Sequence, residues 1–386
     1  MNSIINSILD SDLYKFSMMR AVLQKFPDLK VKYSFIDRND LVYPNGFDSL
    51  VKTEINKLQF LTLTSLEENF LQTIRYFPQS YIDFLKGYKF DPNEVKVSLD
   101  KEKHLHIEIE GYWYRTILYE VPILAIVSEL YYQETKQTPT IYFEKDLEKL
   151  KLMESHNAYF ADFGTRRRYS YVNQHRIVQL FRNTFSHCFV GTSNIYLAFA
   201  CGTKAIGTMA HEWIMAHGAM FGYRMANKLA LDNWADVYGG DLGIALADTY
   251  TTDSFLQSFD MKLSKLFDGV RQDSGDPYEF VDKVIAHYKK LGIDPMSKTI
   301  VFSDGLDIKK AIDLKEYCVG KIKSSFGIGT HLTNDVGVKS LNIVIKLSSV
   351  EINNEWIPAI KLSDDKGKHT GDTKEIELCK KILNIK

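Results

Sequence analysis

The sequence has almost no net charge to offer a polyanion. Lys plus Arg number 48 against 49 Asp plus Glu. With no global basic excess, nucleic acid and anionic membrane surfaces are not expected partners, and any bound anion must be met by a local cluster. Cysteine is scarce. The four present, Cys188, Cys201, Cys318 and Cys379, never fall at C-x-x-C spacing, which disfavours a structural zinc site. Scattered thiols in a long chain fit a reducing compartment, so a cytoplasmic location is expected. Long apolar runs are missing too. The longest, "VPILAIV" (Val121 to Val127), is too short to span a bilayer. The opening "MNSIINSILDSDLYK" has no basic stretch before an apolar run and does not read as a signal peptide. No G-x-x-x-x-G-K-[ST] occurs, so no P-loop is expected. What remains is a chain of 386 residues, 45% hydrophobic, enough for a large core and about two domains.

The first third reads as mixed α/β. Helices are predicted over Leu9 to Phe26, after an Asp/Ser cap, and over Lys57 to Phe77. "NEVKVSLDKEKHLHIEIEGYWYRTILYE" (Asn93 to Glu120) alternates apolar and polar residues about "DKEK" and predicts antiparallel strands; a helix opens at Pro122. From about residue 155 short apolar runs end in Gly, Asp or Thr, most with a helical segment after them. The runs are "NAYFADFG", "HCFVGTSN", "KAIGTMAHEW", "LGIALADTY", "FDGVRQDSGD", "TIVFSDGLD", "IKSSFGIGT" and "SLNIVIKLS". Eight such repeats predict a parallel barrel, with a doubly wound open sheet as the alternative. The expected fold is α/β: an irregular TIM-like (β/α) barrel over 136–350, an N-terminal α/β domain over 1–135, and a tail, 351–386, returning to that domain.

Polar residues gather at the C-terminal ends of these runs, which share one face of a parallel barrel. In "DFGTRRRYS" (Asp162 to Ser170), Phe163 could stack on a flat ring and Arg166 could offer forked donors to a carboxylate or phosphate. The competing reading is a solvated basic turn. "FGIGTHL" places Gly327, Gly329 and Thr330 where backbone N–H groups could nest an anion, though a plain turn reads equally well. "GVRQDSGDP" concentrates Arg271, Asp273, Ser274 and Asp276, and "FSDGLD" adds Asp304. Carboxylates beside a phosphate site suggest bound hydroxyls or magnesium, while Ser274 or Asp276 could simply cap the next helix. In "GTMAHEWIMAH", His211 and His217 are six residues apart, about 240° around a helix, so the zincin pattern is absent. His211, with Asp248 from "LADTY", could be an oriented nucleophile. His217 reads as a packing or surface residue.

Taken together, "DSDLYKFSM", "DFGTRRR", "GTSN", "GTMAHEW", "RQDSGDP", "SDGLD", "FGIGT" and "KLSDDKGK", in this order from residue 10 to 368, resemble the nicotinate phosphoribosyltransferase family of type II phosphoribosyltransferases. The resemblance implies synthesis of nicotinate mononucleotide from nicotinate and phosphoribosyl pyrophosphate, as a step of NAD salvage. ATP would be a co-substrate, coupled through a phosphohistidine, and Mg2+ would accompany the phosphates. It also implies a homodimer with shared active sites. By motif, His211 would be phosphorylated and Asp248 would orient it. Phe163 and the partner subunit's Tyr14 would sandwich the pyridine, and Arg271 and Thr208 would contact nicotinate. Arg166, Gly327, Gly329 and Thr330 would hold the 5-phosphate. Asp273 and Asp304 would meet ribose hydroxyls or magnesium, with no direct protein metal site. Ser193 stands where the sister family acting on nicotinamide carries Asp. Its hydroxyl could donate to a carboxylate, which favours the acid. The rival readings are that nicotinamide-using transferase, a sugar-phosphate aldolase or isomerase, and an inactive barrel that only binds.

Overall fold

The computed structural model describes residues 3–184, 187–365 and 369–385. The described residues form two sheets. The first is antiparallel, in the order β11-β10-β1-β3-β2, from β1 (Lys30–Asp37), β2 (Val95–Leu99), β3 (Leu105–Tyr112), β10 (Ile343–Ile352) and β11 (Glu355–Pro358). In "LHIEIE" the isoleucines and leucine of β3 are buried and the intervening polar residues exposed, the period of two that a one-sided sheet requires. The second sheet is parallel, in the order β5-β4-β9-β8-β7-β6. Its strands are β4 (Phe160–Asp162), β5 (Phe189–Thr192), β6 (Ile244–Leu246), β7 (Gly269–Gln272), β8 (Thr299–Phe302) and β9 (Lys323–Ile328).

The expected eight-stranded barrel does not close. Six of the eight runs enter the parallel sheet. "KAIGTMAHEW" makes one bridge, Thr192 with Ala205, and then runs extended into a helix. "SLNIVIKLS" leaves for the first sheet, where β10 pairs antiparallel with β1 over Val31–Asp37. The gap between the edge strands β5 and β6 is spanned instead by 204–208. Ile206 N–H donates to Thr192 O, and Thr208 Oγ1 donates to Ile244 O at 3.1 Å. The helix predicted over Lys57 to Phe77 is also broken. One helix ends at Leu58 and another starts at Ser65, where Thr64 and Glu67 form a capping box.

The two sheets are locked together by aromatic packing under the helix His211–Phe221, which is buried for most of its length. Trp213 of that helix stacks on Trp113 with centroids 5.8 Å apart, and Phe26 packs against both. His217 closes this cluster. Its Nδ1–H donates to Trp213 O (2.7 Å) and its Nε2 accepts from Asn233 (3.0 Å). Burial in this apolar nest depresses its pKa to about 4. His217 is therefore a neutral, fully partnered packing residue. No helix among the described residues is long and apolar enough to cross a membrane, and no disulfide joins the cysteines among them.

Candidate active site

Three cavities meet at the C-terminal ends of the parallel strands. The first is largely apolar and is lined by Tyr14, Phe163, Ser193, Thr208, Asp12 and Val301, among others. The second lies against His211, Glu120 and Lys346. The third is polar and contains Arg38, Arg167, Asp304, Lys346 and Lys361. Arg166 lines all three, Arg271 the first two, and Asp273 the second and third. A larger groove of about 700 Å³ lies beyond Ser274, between residues 251–257, 274–283 and the tail, and none of the sequence-predicted site residues lines it.

The arginine run divides into three jobs. Arg168 is fully buried and forks onto Asp10 at 2.7 and 2.8 Å, so it is structural. Arg167 donates to Asn342 Oδ1 at 3.2 Å and borders the polar cavity. Burial, with Arg166 and Arg38 nearby, lowers its pKa to about 10. Arg166 makes one loose ion pair, 3.5 Å to Glu120 Oε1, and no hydrogen bond among the described residues. Its guanidinium donors stay available to a ligand. The turn that aims it is fixed from below by buried Asp162, which accepts from Gly164 N–H, Gln174 and Thr192 at 2.7–2.8 Å. Burial raises the Asp162 pKa to about 6.

His211 opens the helix His211–Phe221. Its Nδ1 lies 3.0 Å from Thr249 Oγ1, and its Nε2 lies 2.9 Å from Lys361 Nζ and 3.0 Å from Asp273 Oδ2. Burial, and then the Lys361 ammonium, lower its pKa to about 4. A neutral ring with Nδ1–H donated to Thr249 keeps a lone pair on Nε2, where Lys361 now points. Asp248, expected to orient the ring, has its Oδ2 4.0 Å from Nε2, where it accepts from Ser274 Oγ and pairs with Lys361 at 3.4 Å. The hydroxyl against the ring is that of Thr249, one residue on.

Arg271 is held by Ser303 Oγ (2.8 Å) and Asp273 Oδ1 (3.0 Å) and sits 5.9 Å from the centre of the Phe163 ring. Burial would raise the Asp273 carboxyl, but the Arg271 guanidinium and the Lys361 ammonium hold it well below the usual range. Tyr14 of the same chain already lines the first cavity. Several expectations are not met by the geometry. Ser193 Oγ is committed to Asp12 Oδ1 at 2.7 Å, so its hydroxyl proton already has an acceptor. Gly327, Gly329 and Thr330 line none of the three cavities. Gly327 is instead the floor beneath Phe163: a Cβ there would lie 2.4 Å from the ring. Of "KLSDDKGK", Lys366, Gly367 and Lys368 lie outside the described residues. Sequence reasoning missed Arg38, Glu120, Thr249, Lys346 and Lys361. Only Lys361 had a signal, as the first residue of that last motif.

Fold and cavities together define an α/β enzyme that presents an aromatic slot next to a cationic, phosphate-sized hollow. The family model for the nicotinate phosphoribosyltransferase (NAPRTase) family matches residues 158–386, and that for the family's N-terminal domain matches 9–128. The chain belongs to the nicotinate phosphoribosyltransferase family. It is 49% identical over 385 residues to the nicotinate phosphoribosyltransferase of Desulforapulum autotrophicum, covering 98% of this chain and 99% of that one. It is 46% identical over 386 residues to that of Chromohalobacter salexigens, covering 99% of each. The crystal structure of the nicotinate phosphoribosyltransferase from Porphyromonas gingivalis superposes with a TM-score of 0.96 at 45% identity, over 99% of this chain and 100% of that one.

Proposed function

We propose that this enzyme makes nicotinate mononucleotide and pyrophosphate from nicotinate and phosphoribosyl pyrophosphate, with ATP as co-substrate. The observation that carries the reading is that Arg166 opens at once onto the aromatic cavity, onto the cavity beside His211 and onto the polar cavity next to it. A flat acid in the first would lie between Phe163 and Tyr14, with Arg271 and Arg166 near its carboxylate. The phosphoribosyl group would extend toward Asp273, Asp304 and the cations Arg38, Arg167, Lys346 and Lys361.

In the glycosyl step the pyridine nitrogen attacks the anomeric carbon, and the bond to the pyrophosphate oxygen breaks. Negative charge grows on the leaving group, where the arginines and lysines are already in place. Magnesium enters with the pyrophosphate and supplies further charge neutralisation when bound. Asp273, which accepts from Arg271 and from Ser303, and Asp304, in the polar cavity, are the carboxylates that would meet a ribose hydroxyl or that ion. In the ATP step Nε2 of His211 is the nucleophile toward the γ-phosphorus and ADP leaves, while Thr249 keeps the Nδ1 proton. Water later takes the phosphate. Pairing as a homodimer and a cytoplasmic location belong to the same reading, on the strength of the family resemblance. Incubation with labelled nicotinate and phosphoribosyl pyrophosphate, with and without ATP, tests it. Labelled mononucleotide formed in step with pyrophosphate is expected, and its absence under both conditions overturns the reading.

A further inference from the structure

We propose that Lys15 is a positioning residue: by claiming the charge of Glu120, it keeps Arg166 available to anionic substrate groups. The inference rests on the reading of Arg166 as a substrate contact. Lys15 lines none of the three cavities, and its side chain is 0% exposed. Its ammonium lies 2.5 Å from Glu120 Oε2 and also contacts Glu212 Oε2. The two glutamates are unequal. Glu212 has two further donors on its other oxygen, Tyr33 OH and Trp113 Nε1, each at 2.9 Å. It stays satisfied if Lys15 is lost. Among the described residues, Glu120 has beyond Lys15 only the loose contact to Arg166 at 3.5 Å, and Arg166 and then Lys346 are the cations that next act on it.

A buried carboxylate stripped of its nearest cation draws in the next one, since an unpaired buried charge is costly. In Lys15→Met the next cation is Arg166. A closed Arg166–Glu120 pair would turn the guanidinium away from the cavities it lines. The sequence pattern supports this division of labour: Tyr14 faces the aromatic cavity, and Lys15, its neighbour, secures the charge beneath. The damage in Lys15→Met therefore depends on Glu120 keeping its charge, so the two positions must be strongly non-additive.

Calorimetric titration with phosphoribosyl pyrophosphate at fixed salt, with steady-state kinetics alongside, tests this on the full chain. Lys15→Met should raise the Kd about tenfold or more and act mainly on KM, with kcat less affected. Lys15→Arg should recover most of the loss. The double variant Lys15→Met/Glu120→Gln should also bind markedly more tightly than Lys15→Met. Where Lys15→Met does not fold, the charge-balanced double variant decides, with a Kd within about threefold of wild type supporting the proposal. Unchanged binding in Lys15→Met, or a double variant as weak as or weaker than the single one, overturns it. A wild-type protein that does not bind phosphoribosyl pyrophosphate would overturn the functional reading instead.

Discussion

In the proposed ATP step His211 would enter as a neutral imidazole, its Nδ1 3.0 Å from the Thr249 hydroxyl. Its depressed pKa, about 4, leaves the Nε2 lone pair unprotonated throughout the physiological range. Lys361 occupies that lone pair, and an arriving phosphate would give the ammonium a stronger partner. His211→Asn removes the nucleophile and keeps a polar side chain. ADP formation should fall by at least about 10³-fold, as losses of a catalytic nucleophile do, while slow ATP-independent mononucleotide synthesis persists. Stoichiometric ADP release from the variant, followed by a coupled assay, would remove His211 from that role. At this scale the sequence drew attention to Phe163, Arg166, Arg271 and Asp273 because each lies in or just past a strand end, and to His211 because it opens a helix. It could not show which acceptor each donor meets. The hydroxyl of Ser193 goes to Asp12, 181 residues away in sequence, so acid selectivity cannot rest on a free Ser193 hydroxyl. Arg166 and Arg271 are the groups left to attract a carboxylate.

Strand β9 shows what an element contributes beyond its side chains. It pairs with β4 so that Ala161 faces Gly327, and this bare position leaves room for the Phe163 ring against the strand. In the sequence "FGIGT" looked like a phosphate nest, since glycine after a strand signals close approach without saying of what. Gly327→Ala should tilt Phe163 into the aromatic cavity. The KM for nicotinate should rise about tenfold or more while phosphoribosyl pyrophosphate binding changes by less than about threefold; equal loss for both substrates would contradict the assignment. The barrel expectation failed for a related reason. An apolar run such as "SLNIVIKLS" has the same composition whether it joins a parallel or an antiparallel sheet, and its partner, β1, lies some three hundred residues earlier. That crossing carries Lys346 into the site from a mid-strand position, where catalytic groups were not expected. Burial brings its pKa down to about 8.

The whole molecule stores ionisation energy in its interior. His211 and His217 both have pKa values depressed to about 4 in the folded state, against about 6.5 when unfolded. Below about pH 6.5 the unfolded chain takes up protons that the folded one refuses, so their contribution is complete above that pH and is lost as pH falls toward 4. Asp162, raised to about 6, works in the opposite sense and offsets part of the loss. Between pH 8 and 5.5 the three groups together should cost about 2 kcal/mol. His217→Gln, which keeps a donor and an acceptor but does not titrate, should remove more than half of that difference. Urea unfolding at the two pH values checks this, and a pH-independent stability in the wild type would refute it. The central claim is nonetheless chemical: residues from both sheets converge on three adjoining cavities proposed to take a pyridine acid and an activated pentose phosphate. The most direct test offers labelled nicotinate and labelled nicotinamide together, with phosphoribosyl pyrophosphate and ATP, and separates the mononucleotides formed. Nicotinate mononucleotide should dominate by well over tenfold, with pyrophosphate released in equal amount. Equal use of the amide, or no mononucleotide at all, would contradict the account.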